Sequence, residues 1–303
     1  MLNTVEDIAA LLQGSFLAER EIQQLEIPES RECAFVIYVP PDNALDAWTL
    51  MRSHLANTNR YPILTEGWGS DDYFSRFYYK EEADDGLIPG TAPEAIIAST
   101  PTANLEDFLE RREASTREFL EDLIDFSLEG TKERFGSCPD RSQVDRLIDN
   151  RTIQSTTALE KWLFDWELLN FSHKDAIAAL DTSYLDWFEP ESSKVPLVLL
   201  PTENSWDALA YIHWFAACTA GTTVAMSFLR MWYQKYQAEL VCHYGTMLQL
   251  KVGRRPTTPE EAFELASQQE ALAECTTMKP GVPLREHARA LLTVDRWFLH
   301  ERP

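Results

Sequence analysis

The chain has 303 residues, 45% hydrophobic and 25% charged, an ordinary globular composition with length enough for one large core or two domains. Its formal net charge of −22 is not ordinary. Such a field repels nucleic acid and anionic membrane and steers a basic partner.

The acidic excess is uneven. Residues 224–303 hold 10 basic and 9 acidic side chains, whereas residues 1–223 hold 17 and 40. Cys33, Cys138, Cys218, Cys242 and Cys275 are odd in number and widely spaced, without a CxxC pair. That pattern argues against a disulfide framework and against a structural zinc site. Asn3-Thr4-Val5-Glu6-Asp7 is acidic where a secretory leader would be basic. The expected compartment is therefore reducing and cytoplasmic.

In chain order, Thr4 is placed to cap a first helix whose apolar face is Val5, Ile8, Leu11 and Leu12, with Gly14 ending it. Residues 16–25 read as a second helix. Cys33–Val39 is a dense β-branched and aromatic run, expected as a buried strand that Pro40-Pro41 closes. Residues 42–55 read as a helix and Tyr61–Thr65 as a second strand. Residues 66–89 are irregular, aromatic and acidic, with an edge strand expected around 74–79. Residues 104–128 form the best long helix, with Leu105, Phe108, Leu109, Phe119, Leu120, Leu123 and Ile124 as its apolar stripe. A loop is expected over 130–142, a helix over 158–169 and a short helix over 172–180.

Residues 189–194 carry Pro, Ser and charge before an apolar strand and read as a linker. They divide the chain into an acidic N-terminal α+β region, 1–188, and a C-terminal α+β domain, 195–303, with packing of the two as one unit left open. Residues 208–229 contain no Asp, Glu, Lys or Arg, a length that can span a bilayer. His213, Gly221 and Thr219, Thr222 and Thr223 favour two buried helical pieces joined near Gly221 instead. Residues 238–241 and Met247–Val252 read as a hairpin around Tyr244-Gly245. Thr258-Pro259-Glu260-Glu261 combines an N-cap, a first-turn proline and a capping-box acid. Leu284, Ala288, Leu291 and Leu292 define a last helix. The balance of helices and strands predicts a helix-rich α+β fold with a mixed sheet.

One nonapeptide recurs. Val39-Pro40-Pro41-Asp42-Asn43-Ala44-Leu45-Asp46-Ala47 parallels Leu200-Pro201-Thr202-Glu203-Asn204-Ser205-Trp206-Asp207-Ala208. Both read strand, Pro, acid, Asn, Asp, helix, with Asn43 and Asn204 as N-cap candidates. A duplicated βα unit with a paired site is one reading; the same capping solution used twice is the other, and the simpler.

The strand at 197–200, Trp232 in a long helix, Ala238-Glu239-Leu240-Val241, the Arg255-Pro256-Thr257-Thr258-Pro259-Glu260-Glu261-Ala262 helix start and Trp297 follow in an order that resembles the DUF4253 family, an uncharacterised bacterial domain. The resemblance is strongest over 195–303; the Trp48 and Pro62-Ile63-Leu64 run is similar more weakly. The family's Asn-Cys-Pro element is replaced here by Ala217-Cys218-Thr219. The resemblance implies a fold and no activity.

Chemistry-bearing motifs are sparse. His54, His173, His213, His243, His287 and His300 include no i, i+4 pair and no HExxH. Cys242 and His243 are adjacent on a strand, so they point to opposite faces. GxGxxG, the P-loop pattern and the GxSxG elbow do not occur. No metal and no cofactor are expected. Two constellations stand out. Trp68, Asp71, Asp72, Tyr73, Tyr78, Glu81 and Glu82 would make a docking loop for a basic protein partner. Asn43, Asn204, Trp206 and Arg255 mark a candidate ligand site at the strand-to-helix junctions. The expectation is a non-catalytic cytoplasmic binding module, an immunity-type inhibitor being one form. The alternative is an enzyme with a site assembled near the two junctions.

Overall fold

Thr4 is extended, and its hydroxyl oxygen accepts from the Asp7 N–H at 3.1 Å. Helix α1 (Val5–Leu11) therefore starts where the capping pattern places it, and Gly14 at φ +80° turns the chain away after it. The computed structural model describes residues 2–66, 92–115, 119–172, 176–177, 180–190, 192–214 and 220–302. These residues fall into two compact units, each assembled from separated segments. Residues 1–103, 186–254 and 296–303 form the first; residues 104–185 and 255–295 form the second. The chain enters each unit more than once, so the units interleave along the sequence instead of dividing at residues 189–194.

The first unit is built on a mixed sheet of seven described strands: β1 (Ile22–Glu26), β2 (Cys33–Val39), β3 (Tyr61–Thr65), β4 (Val195–Leu200), β5 (Ala238–Tyr244), β6 (Met247–Val252) and β7 (Arg296–His300). Their spatial order is β1-β2-β4-β3-β5-β6-β7. The β3–β5 pair is parallel and the other pairs are antiparallel. β3 and β4 are buried at every position, as strands covered on both faces must be. Residues 16–25 do not form the expected helix. Turns lead from α1 into β1, an edge strand that pairs Ile22 with Ile37 and Leu25 with Ala34.

Side chains alternate between the two faces of this sheet. One face carries Phe35, Ile37, Val39, Val195, Leu197, Leu199 and Cys242. It packs against Ile8 and Leu12 from the α1 region and Ala47, Trp48 and Met51 of α2 (Ala44–Ser53). The Trp48 indole N–H donates to the Pro62 carbonyl at 3.0 Å, tying α2 to β3 beyond the short helix α3 (Leu55–Thr58). The other face includes Leu248, Leu250, Trp297 and Leu299. Here Trp232 of α10 (Thr222–Tyr236) meets Trp297 edge-on, ring centres 6.0 Å apart. Helices α4 (Pro93–Ser99) and α9 (Ala208–Tyr211) belong to the same unit. Gly221, at φ +86°, stands just before α10, where the sequence expects two helical pieces to join. No helix among the described residues is long and apolar enough to cross a membrane. After α10 the chain turns at Gln237, φ +53°, and Gly253 passes so close that a Cβ there would lie 2.9 Å from the Gln237 Cβ.

The second unit is helical: α5 (Leu105–Ser115), α6 (Leu120–Phe135), α7 (Arg141–Asp149), α8 (Thr156–Asn170), α11 (Pro259–Leu272), α12 (Cys275–Met278) and α13 (Leu284–Leu291). The long helix expected over 104–128 is thus two helices, with 116–118 outside the described residues. α6 continues through Gly130 to Phe135 and stops at Gly136 in the left-handed region, so the loop expected from 130 begins six residues later. Thr258 caps α11 by accepting from the Glu261 N–H at 3.2 Å. The Glu261 carboxylate reaches the Thr257 N–H at 2.8 Å. Leu120, Ile124 and Leu128 of α6 pack with Val144, Ile153, Leu159 and Leu163. A seven-stranded mixed sheet with many helices gives the expected helix-rich α+β class.

Candidate functional site

The repeated nonapeptides share an order of elements but not their positions, since the 3-10 turn and the helix start come three residues later in the second copy. Each leads from a strand through one 3-10 turn, Pro41–Asn43 or Ser205–Asp207, into a helix. They are not brought together. β2 and β4 run antiparallel with Val39 opposite Val195 and Phe35 opposite Leu199. The end of β2 therefore lies beside the start of β4. The two junctions sit at opposite ends of the strands, about 17 Å apart along the sheet. Neither Asn43 nor Asn204 makes a side-chain cap bond.

At the second junction the hydrogen bonding converges on Asp207. Its Oδ2 accepts from Asn204 Nδ2 at 2.8 Å and from the Thr202 hydroxyl at 3.1 Å. Burial raises the Asp207 pKa, while these two donors and the charge of Arg230 oppose the rise. Trp206 packs on Tyr233 at 5.0 Å between ring centres. Nearby in register, the Tyr61 hydroxyl donates to the Leu240 carbonyl at 2.7 Å, and Arg52 Nε donates to Glu239 at 2.9 Å. Tyr61 and Arg52 carry no chemical motif in the sequence, and Thr202 and Glu239, though inside the repeat and the family element, are not marked there as polar partners. The junction satisfies its polar groups from within. Arg255, in the second unit, is exposed and donates to the Thr293 carbonyl at 2.6 Å.

A dense polar cluster lies among the described residues of the second unit, and no sequence motif marks it. Every residue of α13 is buried, including Arg285, Glu286, His287 and Arg289. Arg285 donates to Glu167 at 2.9 Å, to Glu160 at 2.5 Å and to the Ser127 carbonyl at 3.0 Å. Arg289 donates to the second oxygen of Glu167 at 2.6 Å and lies over the Phe164 ring at 4.9 Å. Arg134 pairs with Glu286. His287 contacts the Tyr184 hydroxyl at 2.8 Å through Nδ1 and Gln269 Oε1 at 2.9 Å through Nε2. The Gln269 oxygen can only accept, so Nε2 carries the proton and Tyr184 donates to Nδ1. Burial pushes the His287 pKa down to about 3. Cation faces anion throughout, as a structural ion network requires.

One surface is different. Phe16, Leu45, Leu169 and Met278 are large apolar side chains exposed on separate segments. Phe119, Leu123 and Phe126 are exposed on one, at the cap and in the first turns of α6, at 54%, 38% and 63%. Single exposed apolar residues are normal; a line of three is not. Glu121, Asp122, Asp125, Glu129 and Glu133 are exposed on the same helix. Arg141 of α7 neutralises Glu121 at 3.5 Å and Asp125 at 2.5 Å. Asp122, Glu129 and Glu133 form no ion pair among the described residues. The apolar stripe read from the sequence includes Phe119 and Leu123, but the buried side of α6 is Leu120, Ile124, Ser127, Leu128 and Thr131.

Trp68, Asp71, Asp72, Tyr73, Tyr78, Glu81 and Glu82, and the edge strand expected at 74–79, lie outside the described residues, as does most of the short helix expected at 172–180. Residues 196–300 match the model of a family described as a domain of unknown function, DUF4253. That span runs from β4 to β7. No curated protein and no solved structure gives a significant match.

Proposed function

We propose that the chain is a protein-binding module without chemistry of its own, whose acidic helical surface engages a partner with a basic surface. The carrying observation is α6, where three apolar side chains stand in water beside carboxylates that no cation neutralises among the described residues. The net charge of −22 supports the reading, because complementary charge steers encounter and excludes wrong partners. An immunity-type inhibitor that covers a basic toxin is one concrete form. The aromatic and acidic run from Trp68 to Glu82 is proposed, from its sequence, as a separate partner-binding segment. Cys33, Cys138 and Cys242 are thiols, which suits a cytoplasmic setting. The alternative, an enzyme assembled at both strand-to-helix junctions, is disfavoured by the antiparallel register that separates them.

The test is capture on the full chain from lysate of its own host at low and high salt, with identification by mass spectrometry. A stoichiometric partner with a basic surface, lost at high salt, is the expected result. Retention independent of salt, or an acidic partner, contradicts the proposal.

A further inference from the structure

The geometry of α6 points to the kind of segment that docks there: we infer that it is a basic amphipathic helix of a protein partner, about three turns long. The inference rests on the binding-module reading and narrows it to one face and one ligand chemistry. At 100° per residue, Phe119, Leu123 and Phe126 fall within about 60° of one another around α6. Asp122, Glu129 and Glu133 fall within about 40° of one another, directly alongside. The acids that Arg141 neutralises, Glu121 and Asp125, lie beyond that row. The free acids therefore border the apolar row, and the paired ones do not.

Along the axis, the apolar row covers about 10 Å and the acid row about 16 Å. A partner helix of three turns matches both lengths. Its apolar residues at i, i+3 or i+4, and i+7 would cover the three exposed side chains. Lys or Arg along one edge of that apolar face would meet Asp122, Glu129 and Glu133. An anionic membrane is repelled by the same carboxylates, and a second copy of the chain brings a second charge of −22.

The experiment measures binding of fluorescent 15-residue peptides to the full chain by anisotropy. The first peptide is a Leu/Lys helix with leucines on one face and lysines along its edge. The second has the same composition scrambled to destroy amphipathicity, and the third replaces Lys by Glu. Two variants probe the face: Phe126→Ser, and the combined Asp122→Asn, Glu129→Gln, Glu133→Gln. All four positions are exposed, so folding should be kept, and a urea midpoint checks it. A control variant neutralises exposed Glu19, Asp42 and Asp46 in the first unit. The expected result is 1:1 binding of the amphipathic Lys peptide, weakened about tenfold or more by either face variant but not by the control. The scrambled peptide should bind about tenfold more weakly and the Glu peptide not at all. Equal binding to wild type and both face variants overturns the inference. So does a dimer of the chain that Phe126→Ser dissociates, which assigns the face to a second copy. If the face variants bind peptide normally and still lose a host partner at high salt, the α6 assignment fails while the acidic-module reading stands.

Discussion

Arg285 donates from Nε to Oε1 of Glu167 at 2.9 Å, with both side chains almost wholly out of water. Taking the two charges from water costs several kcal/mol per ion, and such a pair persists only where the remaining donors and acceptors are also met. Arg289 holds the second oxygen of Glu167, and Thr131 donates to the first at 2.8 Å. Glu167→Ala would leave Arg285 and Arg289 buried against too few carboxylates. The expected loss is about 3–5 kcal/mol, read as a lowered urea midpoint. The exposed Glu106→Ala should stay within about 0.5 kcal/mol. Equal midpoints for the two variants would contradict a structural role for the network.

The buried histidines set an acid limit on stability. Burial lowers the pKa of His213 and His243 to about 4 and of His287 to about 3, from 6.5. A depressed folded pKa gives stability that is present above 6.5 and lost as pH falls through the folded value. Each histidine then contributes a slope of about 1.4 kcal/mol per pH unit between the two. Glu270 acts in the opposite sense. Desolvation pushes its pKa up to about 7, with Thr277 opposing. Its contribution is full below 4.5 and lost as pH rises through 7. Stability by urea denaturation should therefore fall below pH 6, and Glu270→Gln, by removing the opposing contribution between pH 4.5 and 7, should steepen that acid loss. An unchanged profile in that variant would refute the assignment.

The two junctions share a sequence but not a hydrogen-bonding load. Asp207 anchors Thr202 and Asn204, whereas Asn43 makes no cap bond. Asp207→Ala should lower stability by about 1–3 kcal/mol through unmet buried donors. Asn43→Ala should change it by less than about 0.5 kcal/mol. Thermal or urea unfolding of both variants decides the matter; similar losses would mean that the repeat carries equal structural roles.

Strands β2 and β4 were legible because short apolar runs closed by Pro40 and Pro201 have few alternatives, and β3 because Tyr61–Thr65 is a short apolar run. The caps at Thr4 and Thr258 were legible because a hydroxyl three residues before an acid is a local device. What failed was non-local. Ile22-Gln23-Gln24-Leu25-Glu26 has an ambiguous period, and only pairing with β2 makes it an edge strand. On α6 two apolar rows lie side by side, and only packing decides that Leu120 and Ile124 are buried while Phe119 and Leu123 are not. The ion network joins Arg285 and Arg289 of α13 to Glu167 of α8, more than a hundred positions away, so no spacing announces it.

The acidic run between Trp68 and Glu82 gives a separate prediction. Replacing Asp71, Asp72, Glu81 and Glu82 together by Ser should weaken the partner complex and flatten its salt dependence while the urea midpoint holds. Unchanged affinity would remove that segment from the binding surface and leave α6.

The most direct measurement is site-specific photocrosslinking in host lysate, with a benzophenone side chain placed at Phe126 or, as control, at exposed Leu45 on α2. The expected result is one salt-sensitive adduct from position 126, mapped to a helix bearing a row of Lys or Arg, and none from position 45. Identical adducts from both positions, or an adduct on an acidic or non-helical segment, would contradict the proposal that α6 is the docking face.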